Sequence, residues 1–327
     1  MGDFMKKSTK KWLIGAGITA LAAASAAAYV ISAKKLVEIA LDREIPTATE
    51  RGKKLISGSD NLSQLAEMLN DSAAELEKIS MERVTIEARD GTELVAHWYC
   101  PKNPERVIVA MHGWRSGWSQ DFGGISPFWM ENNCAILYAE QRAQGLSGGE
   151  YIGFGLLERY DCAEWANWAN EKVQGKLPIY LCGISMGATT VLMASGSNLP
   201  ETVRGIIADC GFTSPHAIWK HVAESNLKIP FGLYSAAAND LCVRKIHLEA
   251  DSYSTTEALA ENKIPVLFIH GTDDRFVPIE MTYENYKATS AAKRLFIVPG
   301  AEHGTSYLED KEGYENATKK FWREFDK

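Results

Sequence analysis

The sequence predicts an α/β protein with a mostly parallel, eight-stranded sheet covered by helices on both faces. Three observations carry the prediction. Short apolar runs, of the kind buried on both sides, recur at 107–111, 135–139, 179–182, 205–208, 266–269 and 294–298. Helical stretches lie between most of them, so successive runs are joined by crossovers and pair in parallel. A hairpin opens the series: residues 83–88 alternate, Asp90-Gly91 makes the turn, and 94–99 runs back.

Two segments of other character precede the hairpin. Residues 12–33 carry no charge, and those 22 residues suffice to cross a bilayer as a helix. Lys6, Lys7, Lys10 and Lys11 stand before the stretch, and Lys34 and Lys35 follow it. The reading is a single-pass membrane anchor, with a cytoplasmic N-terminal stub and an extracytoplasmic domain, by the larger lysine count. A signal segment cleaved near Ala24-Ser25-Ala26, giving a secreted chain, and a soluble alanine-rich helix are the alternatives. Residues 34–80 read as a helical connector, a spacer between membrane and enzyme. Leu62, Leu65, Leu69 and Leu76 recur there at helical spacing with Ala66 and Ala73 on the same side, so one face is expected to pack on the main domain. The main domain spans 81–327. Within it, 158–173 reads as a helix with Trp165 and Trp168 on one face. An insertion at about 212–262 holds helical material at 215–226 and 233–245. It is too long for a simple crossover and reads as a small helical cap over the strand ends, or as a pair of covering helices.

The bulk composition excludes several function classes. Of 327 residues, 46% are hydrophobic and 24% charged, which suits a globular core. The net charge of −7 gives no electrostatic reason to bind nucleic acid. The six cysteines, Cys100, Cys134, Cys162, Cys182, Cys210 and Cys242, are widely spaced with no CxxC pair, so a zinc site is not expected. Free thiols suit a chain with a large core of its own.

Gly183-Ile184-Ser185-Met186-Gly187 follows one apolar run and precedes a helical stretch. A GxSxG pattern at a strand-to-helix corner is a nucleophile elbow: the turn exposes the serine hydroxyl and aims helix N–H groups at developing charge. A serine needs an adjacent base. Of seven histidines, His303 lies just past the last strand, at the end of a parallel sheet where sites are built. His112 and His270 end strands too, but each opens a His-Gly turn. His97 reads as structural, and His216, His221 and His247 fall in the insertion. The base needs a carboxylate, and Asp209, Asp273 and Asp274 all follow strands that precede His303. An oxyanion needs two backbone donors. These are assigned to Met186, directly after the serine, and to Trp114 in the loop after the third strand.

These stretches together resemble the α/β-hydrolase superfamily over about residues 82–326. The matching segments are His112-Gly113-Trp114, Glu140-Gln141-Arg142-Ala143-Gln144-Gly145-Leu146-Ser147, the elbow, His270-Gly271 through Val277-Pro278, and His303-Gly304. Within it the chain resembles the serine aminopeptidase and prolyl-oligopeptidase-like branch. The resemblance implies the α/β-hydrolase fold and places the acid on Asp274, through the pattern HGxxDxxVP. The segment before the first strand is far too short for a propeller. The loop at 140–147 departs from the DxRGxGxS common in relatives: Glu140 replaces the acid, Ala143 a glycine, and Gln144 a frequent histidine. That departure weakens any inference about substrate.

The expected chemistry is two-step acyl transfer through Ser185, Asp274 and His303, cleaving an ester, thioester or amide without metal or organic cofactor. The expected substrate is a small or short-peptide acyl compound, partly hydrophobic, because Phe212, Trp219, Phe231 and Tyr234 offer an apolar wall. A carboxylesterase-like enzyme leads. An aminopeptidase-like peptidase and a membrane-tethered, non-catalytic binding module on the same fold are the alternatives.

Overall fold

The computed structural model describes Ser32, residues 34–44 and residues 62–327. The expected membrane span at 12–33, Ser32 apart, lies outside the described residues. Among the described residues no helix is long and apolar enough to cross a membrane.

A short helix, α1 (residues 34–41), comes first, and α2 (Leu62–Glu77) follows. The hairpin is β1 (Glu82–Glu87) and β2 (Glu93–Tyr99), followed by β3 (Arg106–Met111). Two short helices, α3 (Trp118–Phe122) and α4 (Ser126–Glu131), lead to β4 (Cys134–Ala139). Then come α5 (Glu158–Lys172), β5 (Ile179–Ile184), α6 (Met186–Ala194) and β6 (Val203–Asp209). The insertion holds α7 (Pro215–His221), α8 (Phe231–Ile246) and α9 (Thr255–Glu261). The chain closes with β7 (Val266–Gly271), α10 (Ile279–Ala288), β8 (Lys293–Val298), α11 (Ser306–Glu309) and α12 (Lys311–Phe325).

The eight strands form one sheet in the order β1-β2-β4-β3-β5-β6-β7-β8. β2 is antiparallel to both β1 and β4, and the other pairs are parallel. Every residue of β3, β4 and β7 is buried, because helices cover both faces there. Side chains alternate between the two cores. Val107, Val109 and Met111 pack with Trp165 of α5 and Val191 of α6, while Ile108 and Ala110 pack with Phe122, Trp129 and the α12 aromatics Phe321 and Trp322. All six cysteines are free, and all but Cys100 are buried.

Two expectations are refined. Ala73 and Leu76, on the apolar face of α2, are buried as that face was expected to be, but α1 also packs on the domain: it sinks Val37 and Leu41 into it, with Asp42 bridged to Tyr151. The insertion also divides. α9 belongs to the sheet cover, since its Leu259 lies in the same core as β3 and α6. Only α7, its π-helical extension Val222–Asn226 and α8 stand apart, closing a cleft with α1.

Candidate active site

Ser185 sits between β5 and α6 at φ 57°, ψ −117°, a conformation that L-residues hold only under strain. The flanking glycines make the corner possible. A Cβ at Gly183 would overlap the Gly187 carbonyl, and one at Gly187 would overlap the Met111 carbonyl of β3. The Ser185 amide donates to Asp209 O at 2.8 Å, pinning the turn to the end of β6.

Three sequence-predicted residues converge here from three strand ends. Ser185 Oγ lies 2.8 Å from His303 Nε2, and His303 Nδ1 lies 2.7 Å from Asp274 Oδ2. The carboxylate fixes the tautomer: Nδ1–H donates to Asp274, which leaves Nε2 free to accept from the serine hydroxyl. Asp274 is held from all sides. Its Oδ1 accepts from the amides of Phe276 and Val277 at 2.9 and 2.8 Å. Its Oδ2 also faces His270 Nε2 at 3.1 Å. His270 Nδ1 in turn lies 2.6 Å from the Thr282 hydroxyl, which orients that ring.

These contacts set the charges. Burial works against ionising Asp274, but the His303 charge and the bonds from His270 and His303 outweigh it and hold the carboxyl well below the usual range. Burial works against charging His303, but the Asp274 carboxylate prevails and raises the imidazole well above its ordinary value.

The rival acids have other partners. Asp273 is exposed and accepts from the Thr272 hydroxyl at 2.8 Å. Asp209 is buried, and the Ser306 hydroxyl donates to it at 2.9 Å. Its burial pushes the carboxyl up to about 6, against the lowering effect of that bond.

The loop after β3 passes directly beside the nucleophile, since a Cβ on Gly113 would stand 3.4 Å from Ser185 Cβ. Neither the Met186 nor the Trp114 amide donates to another group among the described residues. The neighbouring amides are tied down: Gly113 N donates to Asp121 Oδ2 and Arg115 N to Gln144 Oε1, each at 2.6 Å. Met186 directly follows Ser185 in the chain, and Trp114 directly follows Gly113.

The remaining histidines have partners outside this trio. His112 is buried and accepts from Gln141 N at 3.1 Å, tying the β3 loop to the β4 loop. His97 lies 2.6 Å from Glu140 and stacks on Trp118. His216 packs on Phe231, His221 lies 3.4 Å from Arg275 O, and His247 caps α8 with a left-handed backbone. Ala143, where the resemblance led one to expect glycine, has a positive φ of 57°. Among the described residues the one group with metal-ligand chemistry is Cys210, Asp274 and His303, within 4.8 Å of one another. Asp274 and His303 are already bonded to each other, so that group is part of the same site.

An apolar cleft of about 90 Å³ borders the site. Trp114 lines it on one side, and Phe276, whose ring lies 4.9 Å from that of His303, on another. Trp219, Phe231 and Tyr234 line it as expected. Phe212 does not: it lies behind, against Phe154, with its backbone bonded to Thr189. Sequence reasoning missed three contributors. Asp121, which no motif marks, holds Gly113 N, and Gln144, singled out in the sequence only as a departure from relatives, holds Arg115 N. α1 forms the wall facing α8, with Leu36, Val37, Ile39 and Ala40 lining the cleft. The apolar spacing of those residues was the available signal.

Comparison with known proteins agrees. The chain is 27% identical over 233 residues to the protein YfhR of Escherichia coli K12, covering 68% of this chain and 74% of that one. It is 23% identical over 252 residues to YqkD of Bacillus subtilis, covering 77% and 82%. An esterase of Pyrococcus furiosus superposes with a TM-score of 0.62 at 21% identity, over 77% of this chain and 96% of that one. An acylaminoacyl peptidase of Pyrococcus horikoshii superposes at 0.57 and 17% identity, over 78% of this chain but 44% of the other. These structural likenesses establish the fold. The prolyl oligopeptidase family matches residues 155–325, over half of the chain and from just before α5 to the end of α12. With that match added to the sheet order, the chain is an α/β-hydrolase, and it belongs to the prolyl oligopeptidase family.

Proposed function

We propose that the chain is a carboxylesterase-like serine hydrolase that carries its substrate's acyl group on Ser185. The observation behind the proposal is the unbroken chain of contacts from Ser185 Oγ to His303 Nε2 at 2.8 Å and from His303 Nδ1 to Asp274 Oδ2 at 2.7 Å. Ser185 attacks the carbonyl carbon as His303 Nε2 takes its proton. Asp274 stabilises the imidazolium, and the amides of Met186 and Trp114 hold the oxyanion. His303 then protonates the leaving group and activates water to release the acid. The cleft favours an ester over a peptide amine, since none of its lining residues is acidic and its walls are apolar. Residues 12–33 serve as the membrane anchor in this reading, with the hydrolase domain on the outer side.

A fluorophosphonate probe tests the nucleophile. Labelling of the wild type, abolished in Ser185→Ala, is the expected result; a folded wild type that stays unlabelled refutes the proposal. p-Nitrophenyl esters set against aminoacyl nitroanilides separate esterase from peptidase. Carbonate extraction tests the anchor, because release of the full chain into the soluble fraction rejects it.

A further inference from the structure

We propose that His270 is a positioning residue of the hydrolase: its Nε2–H sets the rotation of the Asp274 carboxylate, and Asp274 in turn aims His303 at Ser185. The inference rests on the serine hydrolase reading.

The last torsion of an aspartate is broad and roughly two-fold, so a carboxylate held at one oxygen can still turn. Oδ1 of Asp274 is held by the amides of Phe276 and Val277, which belong to the same loop as Asp274 itself. Among the described residues Oδ2 has two donors, His303 Nδ1 at 2.7 Å and His270 Nε2 at 3.1 Å. His303 is no fixed reference for that torsion. It stands on the loop after β8, its side chain is 25% exposed, and it is itself the group to be oriented. His270 lies in β7, every residue of which is buried, and is paired with Ile297 of β8. Its own side chain is fully buried. The sheet therefore reaches the reactive edge of the carboxylate through this ring.

The partners of His270 also fix its proton. Nε2 faces two acceptors, Asp274 Oδ2 and the Val277 carbonyl at 2.9 Å, so Nε2 carries a hydrogen. The neutral ring then presents Nδ1 as an acceptor, and the Thr282 hydroxyl of α10 is placed to donate to it at 2.6 Å. Thr282 does for His270 what Asp274 does for His303: a partner on one nitrogen decides which proton the other carries. The series runs Thr282, His270, Asp274, His303, Ser185, through contacts of 2.6, 3.1, 2.7 and 2.8 Å.

A space-filling role does not account for this ring. A leucine at a fully buried strand end would meet no desolvation cost, whereas a buried imidazole is tolerated only when its nitrogens are bonded. Two of its three contacts go to the loop that carries the acid, at Asp274 and Val277.

The test is the kinetics of Ser185 labelling by a fluorophosphonate in the full chain. The saturating rate reports activation of the serine, and the half-saturating concentration reports binding. His270→Leu removes the donor, and the saturating rate is expected to fall about 10–100-fold while half-saturation stays within about twofold. His270→Gln places an amide N–H₂ near the position of Nε2, with a hydrogen for each acceptor, and is expected to regain most of the lost rate. Thr282→Val deletes only the hydroxyl that fixes the ring's proton and is expected to slow labelling severalfold. Thermal unfolding accompanies each variant. A purely structural His270 would lower the melting temperature of His270→Leu and leave the rate of the folded protein unchanged; that result overturns the inference, as does a His270→Gln no faster than His270→Leu. Should the His270 variants not fold, Thr282→Val decides, and an unchanged rate there overturns it. An unlabelled wild type takes the inference down together with the hydrolase reading, whereas a labelled wild type with unchanged variants refutes only the role of His270.

Discussion

Asp274 carries more of the site's electrostatics than its contact with His303 alone suggests. Its Oδ1 takes two backbone amides, and its Oδ2 faces two histidines. The carboxylate therefore stays ionised and in turn favours the charged form of His303. The sign of the consequence is definite. A general base must be neutral, so activity rises as pH climbs through the raised pKa of His303. Asp274→Asn removes the charge that favours imidazolium, and the acid limb of the kcat/KM profile moves to lower pH. It also loses the tautomer, and kcat falls by about 10⁴-fold. A pH–rate profile of the variant checks both. Asp209 behaves in the opposite way. Its folded pKa, pushed to about 6, lies above the unfolded value of 3.8, so its stabilising contribution is complete below the unfolded value and is lost as pH rises through 6. Asp209→Asn never ionises and can still accept from Ser306. Its melting temperature relative to wild type should therefore rise between pH 4.5 and pH 8, by the equivalent of at most about 3 kcal/mol.

Among the elements, the β5–α6 corner is the least tolerant of change. Gly187 packs against the β3 carbonyl, so Gly187→Ala must push α6 off the sheet. A loss of about 3–4 kcal/mol is expected, with reduced fluorophosphonate labelling because the Met186 amide moves too. Urea denaturation measures the first effect. The corner was legible in the sequence because its chemistry is local: apolar run, two glycines, a serine, then a helix. The strands were legible for the same reason, since runs such as 107–111 and 135–139 are too apolar to lie anywhere but between two layers. The insertion was only half legible. Helical material at 215–226 and 233–245 shows in the sequence, but what each helix packs on does not. Leu259 of α9 joins the sheet core, while Trp219 and Phe231 face the cleft. Phe212 looked like a wall residue by type, yet Thr189 holds its backbone behind that wall. The residues at 139–145 illustrate the reverse: Ala143 holds a glycine-like φ because its amide is fixed by Gly148 O at 2.7 Å.

At the scale of the whole molecule, the convergence of Ser185, Asp274 and His303 was readable because parallel sheets gather their strand ends at one edge. The contribution of residues 34–44 was not, because it depends on contacts more than 70 residues away in sequence. Their attachment is dense. Arg115 and Trp114 hold the carbonyls of α1, Lys245 pairs with Asp42 at 2.6 Å, and Arg43 donates to the carbonyls of Ser147 and Gly145. This fixes where the chain can be cut without loosening the site. A start just before Lys34 discards the uncharged stretch yet keeps every one of these bonds. A start at Leu62 retains the whole sheet and all three residues of the Ser185 relay, and would look like a complete catalytic domain on a gel. It should nevertheless melt lower and turn over esters more slowly than the longer fragment, since the loop bearing Trp114 would have lost the backing it rests on.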